Sequence, residues 1–139
     1  MKHVCLIDAP NFGDERGTLV AFESGIDVPF DIKRVYCIHH TEPGVSRGFH
    51  AHLNLKQVVV CVSGSCRFRV DDGRTVEDYV LRGSDLALTI EGCIWREMHD
   101  FSPDCVLLVF ASEHYDEDDY IRDYEQFLAL VNPALPRCA

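Results

Sequence analysis

The residues best suited to chemistry are His50 and His52, in the run Arg47-Gly48-Phe49-His50-Ala51-His52. On a β-strand successive side chains alternate between faces, so the two imidazoles share one face and Phe49 and Ala51 the other. Both rings titrate near neutral pH, and the Arg47 guanidinium is a short step away. Such a cluster serves either metal ligation or proton transfer, and the rest of the chain must decide between them.

Composition sets the frame. At 139 residues the chain fits one domain around one core. Apolar residues make up 47% and charged residues 26%, the balance of a globular protein. A formal net charge of −10 argues against general binding to nucleic acid or to an acidic membrane. A small phosphorylated ligand would need a local cluster of arginines. The seven cysteines are odd in number, lack a Cys-x-x-Cys and in part sit in apolar runs, which fits a reduced, cytoplasmic compartment. The apolar run after Met1 is too short for a signal peptide, and no stretch has the length of a membrane span.

The elements that must position the histidines are short and mostly alternating. Strands are expected at residues 4–7, as an edge, and at 17–23 (GTLVAFE). In 32–39 (IKRVYCIH) residues Ile32, Arg34, Tyr36 and Ile38 share one face. Lys33 and Arg34 are expected as outward-facing charges. After the histidine strand come 56–62, 66–70, 74–81, 86–90, 93–98 and the continuous apolar run 105–111. Ser63-Gly64, Asp71-Asp72-Gly73, Gly83-Ser84-Asp85 and Glu91-Gly92 supply turns between them. The period changes after that. Tyr120, Ile121, Tyr124, Phe127, Leu128 and Val131 recur at three and four, which predicts an amphipathic helix over 116–131 with acidic residues at its N-terminal end. Pro133 follows, and 132–139 is expected to be a loose tail. About ten short strands and one C-terminal helix predict an all-β, jelly-roll barrel or sandwich in a single domain over 1–139.

A jelly roll with His-x-His on a strand resembles the cupins. Cupins commonly hold a metal through that pair, a glutamate four residues later and a third histidine on a later strand. Here Lys56 stands at the glutamate position, and Arg96 follows Trp95 where a histidine would be needed. Cations repel a divalent ion, and His99 lies three residues too far on. The residues favour acid–base chemistry, with no metal and no cofactor.

Asp14-Glu15-Arg16-Gly17 together with Arg47-Gly48-Phe49-His50 is the pattern of the dTDP-4-keto-6-deoxyhexose 3,5-epimerases. The chain as a whole more closely resembles a narrower group, the dTDP-4-keto-6-deoxyglucose 3,4-ketoisomerases. The likeness runs from about Asp14 to Phe127, through Lys33-Arg34-Val35-Tyr36, Arg47 to His52 and Trp95-Arg96-Glu97-Met98-His99 to Tyr120-Ile121-Arg122-Asp123-Tyr124. It implies a metal-free cupin that moves a sugar ketone from carbon 4 to carbon 3, on a path to 3-amino-3,6-dideoxyhexoses of lipopolysaccharide O-antigens or S-layer glycans. It also implies a homodimer in which strand exchange brings Arg16 to the other subunit's site. Some members have Trp-His-Glu-Met where this chain has Trp95-Arg96-Glu97-Met98. If that side chain faces the sugar, it bears on which face of carbon 4 receives the proton.

The residues match that chemistry. A ketone acidifies the neighbouring C–H; a base removes the proton, and the enediolate takes it back on carbon 4. His50 and His52 are the expected proton carriers, with Tyr36 as donor to the developing oxyanion or as a relay. With no Gly-rich loop present, Arg47 and Arg16 are expected on the diphosphate of dTDP-4-keto-6-deoxyglucose. Arg96, Trp95 and His99 complete the substrate-binding candidates, although Trp95 also suits the core and His99 a structural pair with Asp100. Competing readings are a 3- or 3,5-epimerase, a sugar-nucleotide-binding cupin without catalysis, and a metal-dependent oxygenase, which Lys56 and Arg96 oppose.

Overall fold

Alternating residues bury one side of a strand, and here the alternation builds two sheets whose buried sides meet. In a computed structural model describing residues 1–133, the strands are β1 (Val4–Asp8), β2 (Arg34–His39), β3 (Arg47–His52), β4 (Gln57–Ser63), β5 (Ser65–Asp71), β6 (Val76–Arg82), β7 (Leu86–Ile90), β8 (Trp95–His99), β9 (Val106–Ala111) and β10 (Tyr120–Ile121), followed by the helix α1 (Tyr124–Val131). One sheet has the order β1-β7-β4-β9-β2 and the other β10-β3-β8-β5-β6. The strand pairs are antiparallel. The sheets stack as a sandwich that does not close into a barrel, and β1 is an edge as expected.

The core between the sheets is filled by Val59, Cys61, Leu88, Leu107 and Val109 from one side and Cys66, Phe68, Val70, Leu81 and Met98 from the other. Burial pushes the Cys66 and Cys105 thiols up to about 12, so they pack as small neutral groups. Two smaller clusters cover the outer faces. Val28, Phe22, Phe30 and Ile32 lie over Val58, Val60 and Phe110. On the other sheet, Phe127, Leu128 and Val131 of α1 lie over Ala51 and Trp95.

Two expected elements differ. Residues 17–23 join neither sheet. They fold back on 10–14, with Phe12 N donating to Leu19 O at 2.7 Å and Ala21 N to Pro10 O at 3.1 Å. The ladder is broken into isolated bridges, Asn11 with Val20 and Asp14 with Gly17, because Pro10 has no N–H and a tight turn takes up 14–17. The product is an arm on which Phe12 and Leu19 are 66% and 56% exposed. The helix expected over 116–131 is interrupted. Asp116 caps a single 3-10 turn, Glu117–Asp119, and Asp123 caps α1 by accepting from Gln126 N at 2.7 Å. Between the two caps, Tyr120 and Ile121 pair with His52 and Ala51 of β3. The expected tail has only residues 132 and 133 within the described range; 134–139 lie outside it.

Phe127 is fully buried and ties α1 to β3 and β8. Phe127→Ala should cost about 3–5 kcal/mol of folding stability, the usual range for an aromatic removed from a core. A denaturant titration against the unaltered protein measures it.

Candidate active site

The histidine strand does not alternate evenly, and its irregularity builds the site. Arg47 pairs with Met98 and His50 with Arg96, so the four residues 47–50 of β3 lie against the three residues 96–98 of β8, and Phe49 is the extra residue of a β-bulge. Plain alternation would put Arg47 and His50 on opposite faces. The bulge turns both inward, to the side of Arg96 and Met98. Gly48 makes it possible: its φ is 93°, and a Cβ there would lie 2.8 Å from the Arg96 carbonyl oxygen. Beyond the bulge the alternation resumes, and the His50 and His52 rings meet edge to face at 4.9 Å as their spacing predicts.

The cavity they face measures about 470 Å³ and opens between β2 and β10. Its walls include Arg34, Tyr36, Arg47, His50, Tyr120 and Arg122. The His50 Nδ1–H donates to the Gly48 carbonyl at 3.0 Å, which leaves Nε2 with the free lone pair. Burial, aided by the Arg96 charge, pulls His50 down to about 4, so it is neutral at physiological pH. His52 lies deeper, 1% exposed, and burial followed by the Arg96 charge also lowers its pKa. Its Nδ1–H donates to Asp119 Oδ2 at 2.9 Å, while Asp119 Oδ1 accepts from Asn54 N at 2.7 Å. The carboxylate thus fixes the tautomer of a neutral ring and is in place to stabilise a proton should the ring take one.

Arg96 lies beneath the pair, fully enclosed; burial brings it down to about 10, still protonated at neutral pH. It donates to Gln57 Oε1 and to the Ile94 carbonyl, and Gln57 Nε2 donates to the Tyr36 hydroxyl oxygen at 2.7 Å. Burial raises the Tyr36 pKa, so the phenol keeps its proton. With its oxygen already accepting from Gln57, that proton is free for an acceptor in the cavity.

The structure therefore brings together His50, His52, Tyr36, Arg47 and, from below, Arg96. It does not bring in the other three candidates. Trp95 and His99 are on the opposite face of β8 from Arg96 and Met98. Trp95 packs against Tyr124 and Phe127 of α1. His99 bonds to Ser46 and Glu97. Arg16 sits on the arm, 86% exposed and forked onto Asp14. Lys56 pairs with Glu91 at 2.8 Å, outside the cavity walls.

Sequence reasoning missed four neighbours. Arg34 is not an outer-face charge: it shares the inner face of β2 with Tyr36, as the alternation itself indicated, and its Nε is buried without a hydrogen-bond partner among the described residues. Gln57 is hidden in an apolar run. Tyr120 packs at a tilt against both histidines, with ring centroids 5.0 and 4.3 Å apart, and Asp119 precedes it. Both were absorbed into the expected helix, and only the Asp123 cap signalled that they lie outside one.

Residues 2–132 match the family model described as FdtA: WxcM-like, C-terminal. The chain belongs to the WxcM-like, C-terminal family. A TDP-4-oxo-6-deoxy-alpha-D-glucose-3,4-oxoisomerase of Aneurinibacillus thermoaerophilus is 51% identical over 114 residues, 82% of each chain. A 3,4-ketoisomerase from Helicobacter canadensis is 42% identical, with 93% of this chain and 97% of that one covered and a TM-score of 0.89. A histidine-to-asparagine variant of the 3,4-ketoisomerase QdtA from Thermoanaerobacterium thermosaccharolyticum was solved with TDP-4-keto-6-deoxyglucose. It is 39% identical, covers 98% of this chain and 99% of its own, and has a TM-score of 0.93. Among the described residues of this family member, no helix is long and apolar enough to cross a membrane.

The buried histidines make a prediction about stability. His50 has an ordinary value of 6.5 and a folded value of about 4. Between those values the unfolded chain binds more protons, so the His50 contribution to stability should fall as pH drops from about 6.5 to about 4 and level off below. Thermal unfolding across that range should show a shallower decline for His50→Asn than for the unaltered protein. Parallel curves would mean that His50 does not carry this dependence.

Proposed function

We propose that the chain is a sugar 3,4-ketoisomerase that converts dTDP-4-keto-6-deoxyglucose into a dTDP-3-keto-6-deoxyhexose, with His50 as the base. The observation that carries this reading is a neutral imidazole whose Nδ1 is tied to a backbone carbonyl and whose Nε2 is free, in a cavity lined by arginines. The family membership and the names of its relatives support it.

The reaction needs no external oxidant. His50 Nε2 takes the proton from carbon 3. The C–H electrons form a C3=C4 double bond, and the carbon 4 carbonyl becomes an oxyanion. Tyr36 donates to that oxygen, and Arg96 polarises the phenol through Gln57. The proton returns to carbon 4, the hydroxyl proton leaves oxygen 3, and oxygen 4 ends as the hydroxyl. His52, held by Asp119, backs His50 as the second proton carrier. Arg47 and Arg34, both in the cavity wall, face the diphosphate.

Arg16 enters this site from a second copy. The exposed apolar residues of the arm fit a homodimer in which each arm reaches across to its neighbour.

Proton NMR in deuterated buffer tests the reaction. Substrate should become a 3-keto sugar carrying deuterium at carbon 4, and His50→Asn should lower turnover by roughly two orders of magnitude. Deuterium at carbon 3 or 5 without ketone migration would instead make the enzyme an epimerase. The dimer has its own check. Arg16→Ala and His50→Asn chains, each impaired alone, should regain activity when unfolded and refolded together, because one mixed site is then intact. No recovery would place Arg16 outside the neighbouring site.

A further inference from the structure

The bulge that assembles the cavity is strained, and its support lies behind it. Phe49 has a left-handed backbone, φ 57°, which a bulky side chain rarely adopts. Its ring meets the His99 ring edge to face, 5.9 Å apart at 85°. Ser46, the residue before β3, has its Oγ 2.7 Å from His99 Nδ1. On the other side of the ring, His99 Nε2 is 2.8 Å from Glu97 Oε2. A carboxylate only accepts, so Nε2 donates to it, and Nδ1 is left to bond the Ser46 hydroxyl, which can serve as donor or acceptor. Glu97 Oε1 is held in turn by Trp95 Nε1 at 3.1 Å, and Trp95 is packed under α1. One imidazole, on the face of β8 opposite Met98, therefore grips both the entry to the bulge and its extra residue, and these two residues also stand in the cavity wall.

We infer that His99 is a positioning residue: through Ser46 and Phe49 it holds the bulge that turns Arg47 and His50 into the same cavity. Without that grip, β3 is freer to relax toward plain alternation. The Gly48 carbonyl then no longer stands where His50 Nδ1–H needs it. The effect on turnover rests on the ketoisomerase reading; the effect on the His50 ring does not.

The test compares Ser46→Ala, which removes the hydroxyl, with His99→Phe, which keeps a ring against Phe49 but removes both hydrogen bonds. Ser46→Thr restores the hydroxyl. Nitrogen-15 NMR of the histidine rings reads the His50 tautomer, and substrate turnover is measured beside thermal unfolding. The unaltered protein should show His50 protonated at Nδ1 alone. Ser46→Ala and His99→Phe should show mixed tautomers, with kcat/KM lowered about tenfold or more, the usual scale for a misplaced catalytic group. Their unfolding midpoints should stay near the original, and Ser46→Thr should recover both signals. An unchanged His50 spectrum in both disruptive variants overturns the inference. So does a loss of kcat/KM that only follows lost folded protein and is not recovered by threonine. If the unaltered protein does not isomerise the sugar, the proposed reaction fails, and the ring spectra alone decide the role of His99.

Discussion

The backbone pairing between β3 and β8 skips Phe49, and that skip determines which side chains can meet. An antiparallel ladder enforces strict alternation, so a guanidinium and an imidazole three residues apart cannot face the same space without an added residue. Gly48 supplies the backbone freedom at the point of closest approach to β8. The direction of Arg47, the free nitrogen of His50 and the mouth of the cavity all follow from this local break in register.

A second constraint is charge. A fully buried guanidinium is costly, and Arg96 is tolerated because Gln57 and the Ile94 carbonyl take its hydrogen bonds. Its field reaches in two directions. It adds to burial, the larger cause, in keeping both histidines neutral, and it hydrogen-bonds through the Gln57 amide to the phenol of Tyr36. A substrate that turns negative in the transition state meets fixed positive charge already in place. In the proposed reaction, the arginine buried beneath the histidines thus ties the neutral state of His50 to stabilisation of the intermediate.

The sandwich was legible because its strands alternate and its turns carry glycine and aspartate. The facing of His50 and His52 was legible for the same reason, and so was Tyr36 beside them. Arg47 was placed near them without the bulge that makes this true, since an αL conformation at Phe49 leaves no mark on residue type. The 17–23 arm carries the residues of a strand but finds its partners in 10–14, a choice made by a turn and a proline rather than by hydrophobicity. The helix start was misplaced because Tyr120 and Ile121 fit the helical period while β3 offers them a ladder. Trp95 and His99 are one and three residues from Arg96, and an odd separation on a regular strand means opposite faces.

The His52–Asp119 bond spans 67 residues and joins the third strand to the 3-10 turn just before the last. Nine of the ten strands among the described residues, β1 to β9, precede Asp119, Tyr120 and α1 in the chain, the last of them ending at Ala111. A chain that stopped after β9 would hold those strands while His52 lacked its carboxylate and Trp95 its cover. The carboxylate that orients His52 thus comes from a short C-terminal segment that adds only two residues to the sheets.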